Sequence, residues 1–227
     1  MLPKYEILYG DTFPVLRYRL DAGETIKAES DAMVAMSPTV DVEGKLEGGI
    51  LGGLGRLFSG ESFFFQTMNA KRGPGEVILA PPAPGSIMAL GLDGSREYSV
   101  QKGGFLAATP GIQVGTRAQN IAKGLFSKLG FFILKMSGTG TVFLNALGCI
   151  HNFILNPGEE IIVDNGHLVA WPTDMRYTLR KATKGLVSMV TSGEGLVCRF
   201  EGPGQIFIQT RNPTAYAAWT RSILPKW

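Results

Sequence analysis

The sequence predicts an all-β protein made of three copies of one strand-rich unit, and three observations predict it. Glycine (30) and proline (13) make up about 19% of the 227 residues, against a usual ~12%. With no collagen period, that excess means many tight turns and so many short strands. Second, one pattern occurs three times: glycine, any residue, glycine, any residue, three apolar residues. The copies are Gly73-Pro74-Gly75-Glu76-Val77-Ile78-Leu79, Gly138-Thr139-Gly140-Thr141-Val142-Phe143-Leu144 and Gly202-Pro203-Gly204-Gln205-Ile206-Phe207-Ile208, with first glycines 65 and 64 residues apart. Such regular spacing marks internal repeats. Third, an apolar residue three before a glycine turn recurs at Leu20–Gly23, Val100–Gly103 and Leu155–Gly158.

The physics of the motif predicts its role. Two glycines around one residue tolerate positive φ and are expected to reverse the chain. Proline at the middle position presets one φ. The β-branched and aromatic run that follows reads as a strand buried on both faces or nearly so. Each copy is expected to run strand, glycine turn, strand, loop, strand, Gly-x-Gly turn, strand. The copies fall at approximately 1–85, 86–147 and 148–212 within a single domain. Equivalent units pack by equivalent faces. The expected architecture is therefore three short double-stranded β-helix or β-sandwich units in a pseudo-threefold arrangement. A short helix at 213–224 closes the chain. Asn212 is its N-cap and Pro213 its first residue. Tyr216, Trp219 and Ile223 share one face, Pro225 ends it, and that face is expected to dock on the sheets.

Composition narrows the function classes. Hydrophobic residues are 44% and charged residues 18%, with a net charge of +3 spread along the chain. That describes a folded protein, and it gives no electrostatic case for nucleic acid or membrane. Cys149 and Cys198 lie in apolar surroundings, outside any C-x-x-C pair, and read as two buried reduced thiols. The first residues contain no apolar signal region, and Glu6 and Asp11 argue against a transit peptide. The longest glycine-rich apolar window, Gly48 to Gly55, is too short to span a bilayer. A cytoplasmic protein with no transmembrane segment is the expectation.

Three segments carry a family resemblance. Gly52-Gly53-Leu54-Gly55-Arg56-Leu57-Phe58-Ser59-Gly60-Glu61-Ser62, then Val163-Asp164-Asn165-Gly166-His167-Leu168-Val169-Ala170-Trp171, then Gln209-Thr210-Arg211 resemble the altered-inheritance-of-mitochondria protein 24 family in its bacterial and archaeal branch. The resemblance implies a fold related to the tryptophan RNA-binding attenuation protein, with the unit repeated inside one chain. It supplies no catalytic residues, and its bacterial members carry no assigned activity. The fungal members' link to mitochondrial organisation is not carried over.

Candidate sites are few. Asp164, Asn165 and His167 form a polar turn between apolar strands and are the ligand-site candidates; an Asx-turn setting a hairpin register is the structural alternative. His151 and His167 lie sixteen apart with Glu159, Glu160 and Asp164 between them. No H-x-H pattern joins them, so no metal and no cofactor is assigned. Ser59 and Ser192 occur in equivalent Ser-Gly-Glu turns rather than a nucleophile elbow. Gly48–Gly55 lacks the Lys-Ser/Thr of a phosphate loop, and its Ile50, Leu51 and Leu54 favour an oligomer contact instead. For RNA, the basic clusters are Arg176, Arg180, Lys181 and Lys184 with Tyr177, Arg17 and Arg19 with Tyr18, and Lys71-Arg72. They do not occupy equivalent repeat positions, so they read as solvated strand faces. The expectation is a non-enzymatic homo-oligomer that binds or scaffolds a protein partner of unknown identity. The first alternative is a small-ligand or metal-binding β-helix protein, the second an RNA-binding protein.

Overall fold

The computed structural model describes residues 2–10, 12–45, 65–116, 133–181 and 196–224. The glycine-rich segment 48–55, Ser59, Lys184 and Ser192 lie outside the described residues. The strands are β1 (Tyr5–Leu8), β2 (Val15–Leu20), β3 (Thr25–Glu29), β4 (Met33–Met36), β5 (Asp41–Lys45), β6 (Phe65–Asn69), β7 (Gly75–Leu79), β8 (Gly85–Asp93), β9 (Tyr98–Gln101), β10 (Phe105–Ala108), β11 (Ile112–Thr116), β12 (Ile133–Leu147), β13 (Ile150–Leu155), β14 (Glu160–Asp164), β15 (Leu168–Pro172), β16 (Arg176–Lys181), β17 (Leu196–Glu201) and β18 (Gly204–Gln209). Among the described residues one helix, α1 (Pro213–Ile223), follows. The protein is all-β with a short C-terminal helix.

Strand pairing organises the molecule. A four-stranded sheet runs β1-β2-β7-β4, and a three-stranded sheet runs β14-β17-β16. The largest sheet runs β13-β18-β15-β9-β12-β10-β3-β6-β5, with β8 and β11 also paired to β12. β12 is the pivot. Its first half pairs β9 and β11, and its second half, from Thr139, pairs β8 and β10. The Gly138–Gly140 motif therefore does not reverse the chain. It is a corner at which one long strand leaves one set of partners for another, a known use of glycine in folded sheets.

The glycines are needed there because other atoms pass close by, backbone at Gly138 and a side chain at Gly140. Gly138 has φ +98°, and a Cβ on it would lie 2.2 Å from the Gly111 carbonyl oxygen. A Cβ on Gly140, at φ +148°, would lie 2.2 Å from Thr109 Oγ1. The strand after this corner is buried at every position from Val142 to Leu147, as the apolar run predicts. The counterpart β7 instead alternates, burying Val77 and Leu79 while Ile78 stays half-buried.

Buried side chains form three clusters. The first centres on Leu16, Ile26, Met68 and Leu79 and also takes in Leu106, Ala107 and Phe143. The second centres on Val100, Phe105, Leu134 and Leu144 and takes in Val169, Ala170 and Phe207. The third holds Trp171, Phe200, Cys198 and Ile206.

Two expectations are corrected. Helix α1 forms where its cap predicts, with the Asn212 side chain accepting from the backbone N–H of Thr214 (2.9 Å) and Ala215 (3.3 Å). Its apolar face, however, meets the sheets only at its start, where Tyr216 lines a cavity with Leu168 and Gln209; Trp219 is 56% exposed and Ile223 61%. Periodicity says which residues share a helix face, not what covers it. Cys198 is buried, but Cys149 is exposed, because it sits in the short link after Gly148 that turns β12 into β13. Burial pushes the Cys198 thiol up to about 12. Because the thiolate is the nucleophile, a maleimide should label one cysteine per native chain and two per unfolded chain. Intact-mass spectrometry checks this.

Candidate functional site

The polar turn predicted as a site is a short 3-10 turn, Asn165–His167, between β14 and β15. Asp164 caps it: its Oδ1 accepts from the Gly166 backbone N–H at 2.8 Å. His167 turns toward β18, where its Nδ1 lies 2.7 Å from the Gln209 carbonyl oxygen. A carbonyl can only accept, so Nδ1 carries a proton and donates. Asp164, Asn165 and His167 are all half-buried. The connection between β9 and β10 is also a 3-10 turn, Lys102–Gly104. The Asp164 side chain forms the expected Asx-type cap and the turn is locked to the neighbouring strand, but it sets no hairpin register, because β14 pairs β17 and β15 pairs β18 rather than each other.

Sequence reasoning missed the residue that does the locking. Gln209 is 7% exposed. Its Oε1 accepts from the Leu147 backbone N–H at 2.9 Å, and its Nε2 donates to the Gly166 carbonyl at 2.8 Å. One amide thus ties the end of β12 to the polar turn. Gly166 is tight against the helix cap, since a Cβ there would lie 2.2 Å from Asn212 Nδ2. Gln209→Ala should lower stability by about 2 kcal/mol, because two backbone groups lose their partner in a buried setting. Chemical denaturation would measure this as a lower midpoint at unchanged slope.

Beside the turn lies a cavity of about 300 Å³, lined by Pro81, Pro82, Gly104, Asn145, Leu168, Gln209 and Tyr216 among others. Asn145, 4% exposed, and Gln209 are buried polar members of its wall. His151 lies elsewhere, exposed on β13, its ring edge-on to Phe153 at 4.6 Å. Among the described residues no group of three or more His, Cys, Asp or Glu is placed to hold a metal ion.

The basic clusters do not present stacking aromatics. Arg19 pairs with Glu6 at 2.6 Å, Arg17 contacts Glu6 at 3.4 Å, and the intervening Tyr18 is buried. Lys71 pairs with Glu43, and Arg72 with Asp41 at 2.9 Å. Tyr177 stacks on Phe200 at 5.3 Å within the third cluster, while Arg176 and Arg180 point out from β16.

Comparison with known proteins fixes the family. Residues 5–211 match the family model described as mitochondrial biogenesis AIM24. The chain belongs to the AIM24 family. Helix α1 lies beyond the matched span. An uncharacterized protein of Streptococcus pyogenes serotype M6 is 34% identical over 221 residues, covering 94% of this chain and 88% of the relative. The altered inheritance of mitochondria protein 24 of Verticillium alfalfae is 25% identical over 170 residues, 74% of this chain but 43% of the fungal protein. A crystal structure of a Streptococcus pyogenes protein aligns with TM-score 0.79 at 32% identity, covering 97% of this chain and 99% of that one. These relatives place the chain with the bacterial AIM24 proteins. No helix among the described residues is long and apolar enough to cross a membrane.

Proposed function

We propose that this AIM24 protein is a non-enzymatic, self-associating scaffold, built from three copies of a six-strand unit and working in the cytoplasm. The copies correspond to β2–β7, β8–β12 and β13–β18, close to the boundaries 1–85, 86–147 and 148–212. Pairing supports the unit. In the first stretch β2 pairs β7, β3 pairs β6, β4 pairs β7 and β5 pairs β6. In the last, β13 pairs β18, β14 pairs β17, β15 pairs β18 and β16 pairs β17. In the middle, β8 to β11 pair in the same order with the two halves of β12. The third strand of each carries a register shift at the same place: Met33/Ala35, Phe105/Ala107 and Leu168/Ala170. Free thiols at both cysteines suit a reducing compartment.

The observation that carries the scaffold reading is apolar surface without cover. Tyr216, Trp219, Ile223 and Leu224 of the helix region, and Met33, Val34 and Met36 of β4, are all at least 38% exposed. Grouped apolar exposure marks interaction surfaces. The side chains of Asp164 and His167, by contrast, are committed to backbone groups. Native mass spectrometry of untagged protein from its host tests the reading. Integer multiples of 24.5 kDa are expected, and a stable monomer at working concentration contradicts it. The cavity beside Asn145 supports a second reading, a small-ligand protein, which predicts extra retained mass that the Asn145→Leu variant loses.

A further inference from the structure

We infer that copies of this chain join head to tail by pairing the exposed edge of β4 with the exposed edge of β14 of the next copy. This rests on the self-association proposed above and specifies its surface. The chain already makes this kind of joint twice. Antiparallel β10 and β3 meet through Ala107↔Ala28 and Ala108↔Lys27. Antiparallel β15 and β9 meet through Ala170↔Val100 and Trp171↔Ser99. In both, the third strand of one six-strand unit pairs the second strand of the unit before it. The third strand of the first unit, β4, and the second strand of the last unit, β14, are the complementary halves of a third such joint. Among the described residues neither has that partner, since β4 pairs only β7 and β14 only β17.

Burial agrees with the topology. Every residue of β10 and β15 is buried, and every residue of β4 is exposed. The residue of β14 that corresponds to Lys27 and Ser99 is Ile162, and it is 55% exposed. The cores agree as well. The first cluster is completed by Leu106, Ala107 and Phe143 of the following unit, the second by Val169, Ala170 and Phe207. Among the described residues no following unit adds to the third cluster, and its β14 member Ile161 is only partly buried, with Phe153, Tyr177 and Leu179. The residues that would complete it in the same pattern are Val34, Ala35 and Ile78, at the other end of the chain. Natural sheet edges are usually guarded by charge or proline. β5 and β16 carry Asp41, Glu43 and Lys45, and Arg176, Arg180 and Lys181, whereas Met33-Val34-Ala35-Met36 has no such guard. The joint uses different surfaces on the two copies, so it can propagate along a chain of copies or close into a ring.

The register follows from the internal joints: Ala35 opposite Val163 and Met36 opposite Ile162. Opposed strand residues lie within disulfide reach. In a Cys149→Ser background, one preparation carries Met36→Cys and another Ile162→Cys. Mixed and oxidised, they should give a disulfide-linked dimer at least tenfold more abundant than either preparation alone. No mixed dimer overturns the inference. So does a chain carrying both substitutions that crosslinks within itself regardless of dilution, because the two edges then meet in one molecule. A paired variant, Val34→Lys with Met36→Lys, places charge on the exposed edge and should lose assembly while keeping its melting temperature. If that variant still assembles like the wild type, this interface is wrong and the self-association reading stands. If the wild type is itself monomeric and gives no crosslink, both fall.

Discussion

Gly138→Ala is expected to destabilise the protein by about 4 kcal/mol, combining left-handed backbone strain with overpacking. At φ +98° a side chain is strained whatever the space around it, and here there is no space. The new methyl would stand 2.2 Å from the Gly111 carbonyl oxygen, which belongs to backbone and cannot swing aside. Gly111 meets the same crowding from the other side, with a Cβ 2.1 Å from the Thr139 carbonyl oxygen. The collision falls where β12 turns from β9 and β11 to β8 and β10, so relief of strain would disturb both sets of pairs. For a chain of this size the loss corresponds to a melting temperature lower by about 10 °C. Gly91→Ala is the control: it has nothing within 4 Å and no positive φ. That variant should melt within about 2 °C of the wild type, as surface changes generally do. Calorimetry on the pair separates the corner's requirement from the general cost of replacing glycine.

Trp171→Ala is the second large effect, about 3–5 kcal/mol. Trp171 is fully buried on β15. Its ring meets Tyr177 and Phe200 edge-on, each at 5.7 Å. Its backbone pairs with Ser99 of β9, so the cavity left by truncation opens where β15 meets β9 in the largest sheet. Trp219→Ala, by comparison, removes a side chain that is 56% exposed, and stability should change by about 0.5 kcal/mol or less. Denaturant titration of both variants checks the contrast. A large loss from Trp219 instead would mean that the helix face is covered after all.

Much of the fold was legible because it follows from local chemistry. The Gly-x-Gly motifs located β7, the second half of β12 and β18 at their starts, since at each at least one glycine has no room for a side chain. Asn212-Pro213 located α1 for the same kind of reason, a cap and a fixed φ. What the motifs could not reveal is partnership. Nothing local distinguishes a glycine pair that reverses a chain from one that turns a corner inside a single long strand. The helix face of Tyr216, Trp219 and Ile223 is equally periodic whether covered or bare. Cys149 has apolar neighbours in sequence, yet the link it occupies faces outward. At the candidate site, Asp164, Asn165 and His167 were visible as polar residues between apolar runs. Gln209, which fixes them, was not, because its two hydrogen bonds reach back 62 residues to Leu147 and 43 to Gly166.

The central claim is that the exposed apolar edges and helix face serve association between copies. Sedimentation velocity across a hundredfold dilution series tests it most directly. The weight-average mass should lie above 24.5 kDa and fall toward the single chain only at the dilute end. A mass of one chain at every concentration would contradict it.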